Sequence, residues 1–108
     1  MSDDRELLEL AAKAAYTYAF MDHGNGHYTL GLHTGMKDWN PLTDDGDALR
    51  LAVEVGLSIM FDRDSVQVSA SGDGEFCAAF AMEAINSSES ATRRAIVRAA
   101  AEIGRAMP

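Results

Sequence analysis

Cysteine is almost missing from this chain: Cys77 stands alone among 108 residues. A single thiol excludes an internal disulfide framework and a Cys-rich zinc site. Bases are scarce, nine against seventeen acids, and the formal net charge is −8. That balance argues against direct nucleic-acid binding, which usually needs a basic patch. No apolar run approaches the roughly 20 residues that span a bilayer, so no membrane partner is expected. The first residues, Met1 to Glu6, are acidic, the wrong charge for a secretory or mitochondrial signal. The expectation is a cytoplasmic protein.

What is present fits one globular domain over residues 1–108. Hydrophobic residues at 47% and charged residues at 24% are enough to build a real core at this length. The most informative stretch runs from Trp39 to Gly56. Pro41 forces Asn40 into an extended conformation, so no helix passes through Trp39 and Asn40. Asp44 or Asp45 then caps a helix, and Asp47 adds negative charge to its first turn, where the helix dipole favours it. Ala48, Leu51, Ala52 and Val55 recur at three- and four-residue spacing and make one apolar face. Gly56 suits the left-handed position past the helix end. This is expected to be the central helix, lying across a sheet, with Trp39 as a plug at its start.

The rest of the chain falls into shorter elements. Ser2 or Asp3 opens a first helix, with Leu7, Leu8, Leu10, Ala11, Ala14 and Ala15 on its apolar side and a Glu9–Lys13 pair on its wet side. Tyr16–Met21 and His27–His33 read as two strands of a hairpin around the turn chemistry of Asp22-His-Gly-Asn-Gly26. In the second strand Tyr28, Leu30 and Leu32 share one face, and His27, Thr29, Gly31 and His33 the other. Thr34 to Asp38 reads as a loop. Three strands follow the middle helix: Leu57–Phe61, Ser65–Ala70 and Glu75–Met82. Asn86 to Ser90 is a capping cluster before a last helix, Ala91–Met107. Its buried stripe is Ala95, Ile96, Ala99, Ile103 and Met107, and an Arg98–Glu102 pair offsets the like charges Arg94 and Arg98. The expected class is α+β, in the order α-β-β-α-β-β-β-α, an antiparallel sheet with helices packed mainly on one face. Charge is uneven: residues 1–86 hold fifteen acids and five bases, residues 87–108 two acids and four bases.

Two stretches, Trp39-Asn-Pro-Leu-Thr-Asp-Asp-Gly-Asp-Ala-Leu-Arg-Leu-Ala-Val53 and Ala91-Thr-Arg-Arg-Ala-Ile-Val-Arg-Ala-Ala-Ala-Glu-Ile-Gly104, resemble a group of small proteins encoded by tailed phages and prophages of Gram-negative bacteria. The opening helix, Glu6 to Ala15, fits the same group. The first stretch is also distantly similar to the NinX-like phage proteins. The resemblance implies an origin on a mobile element. It assigns no activity, cofactor or catalytic residue.

The candidate chemistry is thin. His23, His27 and His33 lie in one hairpin beside Asp22. His27 and His33 point to one face, yet six strand residues separate them by roughly 20 Å. His23 and His27 face each other across the turn and are the one pair able to share a metal, though a third ligand is missing. The glycines of His23-Gly-Asn-Gly26 lack the pattern of a phosphate-binding loop. Asp44, Asp45 and Asp47 lack the terminal Glu of a calcium loop, so capping is the better reading. Cys77 has no base marked for it and reads as a small hydrophobe. Arg93, Arg94 and Arg98 suit phosphate or a carboxylate-rich partner, but no aromatic residues interleave with them to stack bases.

No catalytic constellation emerges, and no cofactor is called for. The expected function is binding to a host or phage protein. His23, His27, Tyr28 and His33 of the hairpin, the arginines Arg93, Arg94 and Arg98, and the acidic surface are the expected contacts. Trp39, Pro41, Asp44, Asp45 and Gly56 are expected to be structural. A small ligand- or metal-binding domain, or enzyme, centred on the hairpin is the alternative. A homodimeric assembly module is the second alternative, because open sheet edges can pair.

Overall fold

Capping, apolar periodicity and turn glycines give nine elements among the described residues. The computed structural model describes residues 4–15, 20–32, 35–61, 63–71, 77–84 and 88–107. In order they form α1 (Asp4–Ala15), β1 (Phe20–Asp22), β2 (Tyr28–Leu32), β3 (Gly35–Asp38), α2 (Asp45–Val55), β4 (Ser58–Phe61), β5 (Ser65–Ser71), β6 (Cys77–Ala84) and α3 (Ser88–Ala106). The class is α+β, as expected. The order carries one strand more than expected, because the segment read as a loop contains β3. The expected caps at Ser2, Asp3 and Asn86, and most of the expected strand at Tyr16–Met21, lie outside the described residues, as does His33.

The strands divide into two antiparallel three-stranded sheets, β1-β2-β3 and β4-β5-β6. In the first, Phe20 pairs with Leu30 and Leu30 with Lys37. The backbone N–H of Trp39 donates to Tyr28 O at 2.9 Å and prolongs the β2–β3 ladder by one step. In the second, Ile59 and Phe61 stand opposite Val68 and Val66. The two valines are fully buried, as their alternation predicts.

One hydrophobic cluster joins the layers: Leu8 and Ala11 of α1, Leu30 of β2, Trp39, Leu51 of α2, Val66 and Val68 of β5, and Ile96 and Val97 of α3. The central helix is α3, not α2. Ala95, Ile96, Val97, Ala99, Ala100 and Ala101 of α3 are all buried, so the helix is covered nearly all round rather than along one stripe. It packs on α1, α2, β5 and β6. Met107, expected in the stripe, is exposed. α2 buries Ala48, Leu51 and Ala52, the face expected, together with Asp47.

Two expected ion pairs are exchanged for others. Glu9 pairs with Arg5 at 3.2 Å, and the Lys13 ammonium donates instead to Met107 O. Arg98 pairs with Glu83 of β6, leaving Glu102 to Arg105. In both cases a longer-range partner replaces the neighbour four residues on, and ties α1 or β6 to the end or the flank of α3. Among the described residues no helix is long and apolar enough to cross a membrane.

Candidate functional site

The hairpin histidines come together as a pair. Gly24, Asn25 and Gly26 have φ of 87°, 56° and 77°, three successive left-handed residues that glycine and asparagine tolerate best. His23 N donates to His27 O at 2.8 Å, and His27 N to Gly24 O at 3.0 Å. The turn therefore stacks the two imidazoles, with centroids 4.8 Å apart and planes tilted by 30°. Their outer nitrogens are engaged separately. His23 Nε2 is hydrogen-bonded to Thr29 Oγ1 at 2.8 Å. His27 Nε2 donates to Asp38 Oδ1 at 2.9 Å across the sheet. Among the described residues no group of three or more His, Cys, Asp and Glu side chains is placed to hold a metal ion. The imidazoles thus brace the hairpin against β2 and β3. Tyr28 turns inward, stacked on Phe20 at 5.6 Å.

The arginines of α3 are spent inside the chain. Arg93 Nε donates to Leu42 O at 2.8 Å, and its Nη1 pairs with Asp45. Arg94 reaches Asp4 of α1 at 3.4 Å, and Arg98 reaches Glu83. Their geometry is that of staples between α3 and its neighbours.

The richest surface is the corner where β3 turns into α2. Pro41 is fully buried and Trp39 nearly so, with the indole edge-on to Phe20 at 6.1 Å. The Asp44 carboxylate accepts from Asp47 N at 2.8 Å and caps α2. Asp47 closes the corner: its Oδ2 accepts from Asn40 N at 2.9 Å, and its Oδ1 from Arg50 Nη2 at 2.8 Å. Gly56 ends the helix at φ 82°, its N–H donating to Ala52 O. Asp45 lies just inside the first turn and accepts Arg93, so Trp39, Pro41, Asp44 and Asp45 meet here, while Gly56 closes the far end of the helix.

Among the described residues, two apolar depressions flank this helix. One, of about 360 Å³, lies between α2 and the first sheet and is lined by Leu30, Trp39, Leu49 and Val53, with Lys37 and Glu54 at its rim. The other, of about 220 Å³, is lined by Ala48, Leu49, Ile59 and Ile96, with Asp45 and Arg93 among its polar borders. Leu49 is the ridge between them. Leu49 is 61% exposed and Val53 72%. These two, four residues apart on α2, were outside the apolar face expected from the sequence. The available signal was the width of the apolar sector, which adds 49 and 53 to the expected face of 48, 51, 52 and 55. Compared with known protein families, curated proteins and solved structures, the chain matches none.

Proposed function

We propose that this chain is an acidic accessory protein, encoded by a phage or prophage, that acts in the bacterial cytoplasm by binding another protein rather than by catalysis. One observation carries the binding reading: Leu49 and Val53 stand exposed on a well-capped helix beside an open apolar groove. Exposed apolar side chains clustered around a concave surface, with charges at the rim, are the chemistry of a protein contact. The resemblance of residues 39–53 and 91–104 to small phage proteins supports the origin. The net charge of −8 supports a partner with a basic surface, steered by long-range attraction. A concrete form of the reading is an inhibitor of a host defence system, competing for a nucleic-acid groove.

The test is affinity capture from host cytosol at low salt and at about 0.5 M, where screening removes most long-range attraction. The wild-type chain is expected to retain one host protein in stoichiometric amount at low salt. The double variant Leu49→Asp, Val53→Asp is expected to lose it while keeping its far-UV circular dichroism. Capture of nothing at either salt rejects the reading, and equal capture by the double variant removes α2 from it.

A further inference from the structure

The strand β4 is an edge that lacks the usual protection. Its sheet runs β4-β5-β6, and among the described residues β5 is its one strand neighbour. Natural edges are blunted by charge, proline or a bulge. β3 carries Lys37 and Asp38, and Asp22 of β1 is paired with Arg5. Ser58-Ile-Met-Phe61 has no charge and no proline, and its register with β5 is regular. Met60 and Phe61 are 64% and 62% exposed.

The faces of β4 make this informative. Ile59 and Phe61 oppose the buried Val68 and Val66, so both belong to the sheet face that the helices cover. Beside Ile59 that face opens into the 220 Å³ apolar depression under Leu49. A large exposed ring and an unfilled apolar cleft therefore lie on one face, two positions apart along one strand.

We propose that β4 pairs antiparallel with β4 of a second copy of this chain, each copy placing its Phe61 ring in the other's cleft. The register follows from parity. A two-fold axis perpendicular to the sheet keeps every side chain on its own face, so opposed positions must differ by an even number. Centred on the middle of the apolar trio, Met60 meets its own copy and Ile59 meets Phe61 of the second copy. Opposed Cβ atoms are about 4.5–5.5 Å apart, which brings the ring over the cleft that Ile59 lines. A cavity of about 150 Å³ takes a benzene ring, so this cleft has room. An unrelated strand would supply only backbone hydrogen bonds, whereas a copy of β4 brings the ring in register. The edge is also neutral, so two chains of −8 each meet there without close repulsion between strand side chains. This pairing fills the cleft on one side of Leu49 and leaves the groove on its other side, beside Val53, to a partner on α2.

Sedimentation velocity of the full chain over roughly 1 to 100 μM, a range spanning weak self-association, tests it. A dimer is expected that holds or tightens in about 0.5 M salt, because screening relieves the repulsion between acidic bodies. Met60→Lys sets two ammonium groups opposite each other, and Phe61→Ala empties the cleft. Each is expected to weaken association at least tenfold and, since both side chains are exposed, to leave the unfolding midpoint nearly unchanged. Met60→Cys in a Cys77→Ala background is expected to cross-link to itself under mild oxidation, because the site lies on the axis. A monomer throughout the range overturns the proposal. So does a dimer indifferent to Met60→Lys and Phe61→Ala, and so does a monomer that captures an unrelated strand at this edge.

Discussion

Gly104 of α3 lies against the backbone of α1 at Leu10. A methyl group added there would lie 2.0 Å from the backbone oxygen of Leu10. Alanine ordinarily favours a helix interior over glycine by about 1 kcal/mol. Here the obstacle is backbone, which cannot rotate aside as a side chain can, so overpacking outweighs propensity. Gly104→Ala is expected to lose about 2 kcal/mol or more, read as a lower urea midpoint at unchanged slope. A midpoint equal to or above that of the wild type would show that the two helices do not approach this closely. Nothing in the sequence marks this glycine, because a lone glycine near the end of a helix is as often a stop signal. Its meaning comes from a residue 94 positions away. The corner at Asp47 is similar. Its charge suits a first helical turn, which the sequence shows, but its burial against Asn40 N and Arg50 depends on how Trp39 and Pro41 pack.

At the scale of elements, Arg93 ties α3 to the start of α2, its guanidinium bridging Leu42 O and Asp45. Charge-assisted bonds of this kind contribute about 1.5–3 kcal/mol. Removing them in Arg93→Ala is expected to speed amide exchange across Asp45–Val55 roughly tenfold to a hundredfold, with the middle of α3 left protected. Uniform acceleration in both helices would mean that they open as one unit. The legibility of each element follows how local its causes are. α2 was legible from a cap at Asp44 or Asp45, of which Asp44 is the one formed, to a Gly56 stop, because both signals act within one turn. The β1–β2 hairpin was visible for the same reason, and so was the closeness of His23 and His27. β3 was not: Gly35-Met-Lys-Asp38 is exposed at every position and shows no alternation, and it is a strand only because β2 offers it a register. The exposure of Leu49 and Val53 was hidden too, since an apolar residue beside a buried face looks the same whether or not something covers it.

Across the whole molecule the element order β-β-β-α occurs twice, as β1-β2-β3-α2 and β4-β5-β6-α3, with no matching repeat in the sequence. The two halves are unequal. α2 leaves one side open, whereas α3 is surrounded, and alanine is what lets so many neighbours approach it. Alanine also disguised the hub, because it is at home on both wet and buried helix faces. Val97 is fully buried at the centre of α3. Val97→Asp places an unpaired carboxylate there, a cost comparable to the whole stability of a domain this size. The expected result is loss of amide dispersion throughout the spectrum, in both sheets and all helices; a surviving native sheet would show that a separate core exists. The position of α3 along the chain has a further bearing on how the protein is made in the cell. Every strand and both other helices leave the ribosome before the helix that covers them. Until Ala95–Ala101 emerge, Val66, Val68 and Leu8 lack the α3 side chains with which they form one cluster. Native structure over the described residues is therefore expected to form in one step once α3 has emerged.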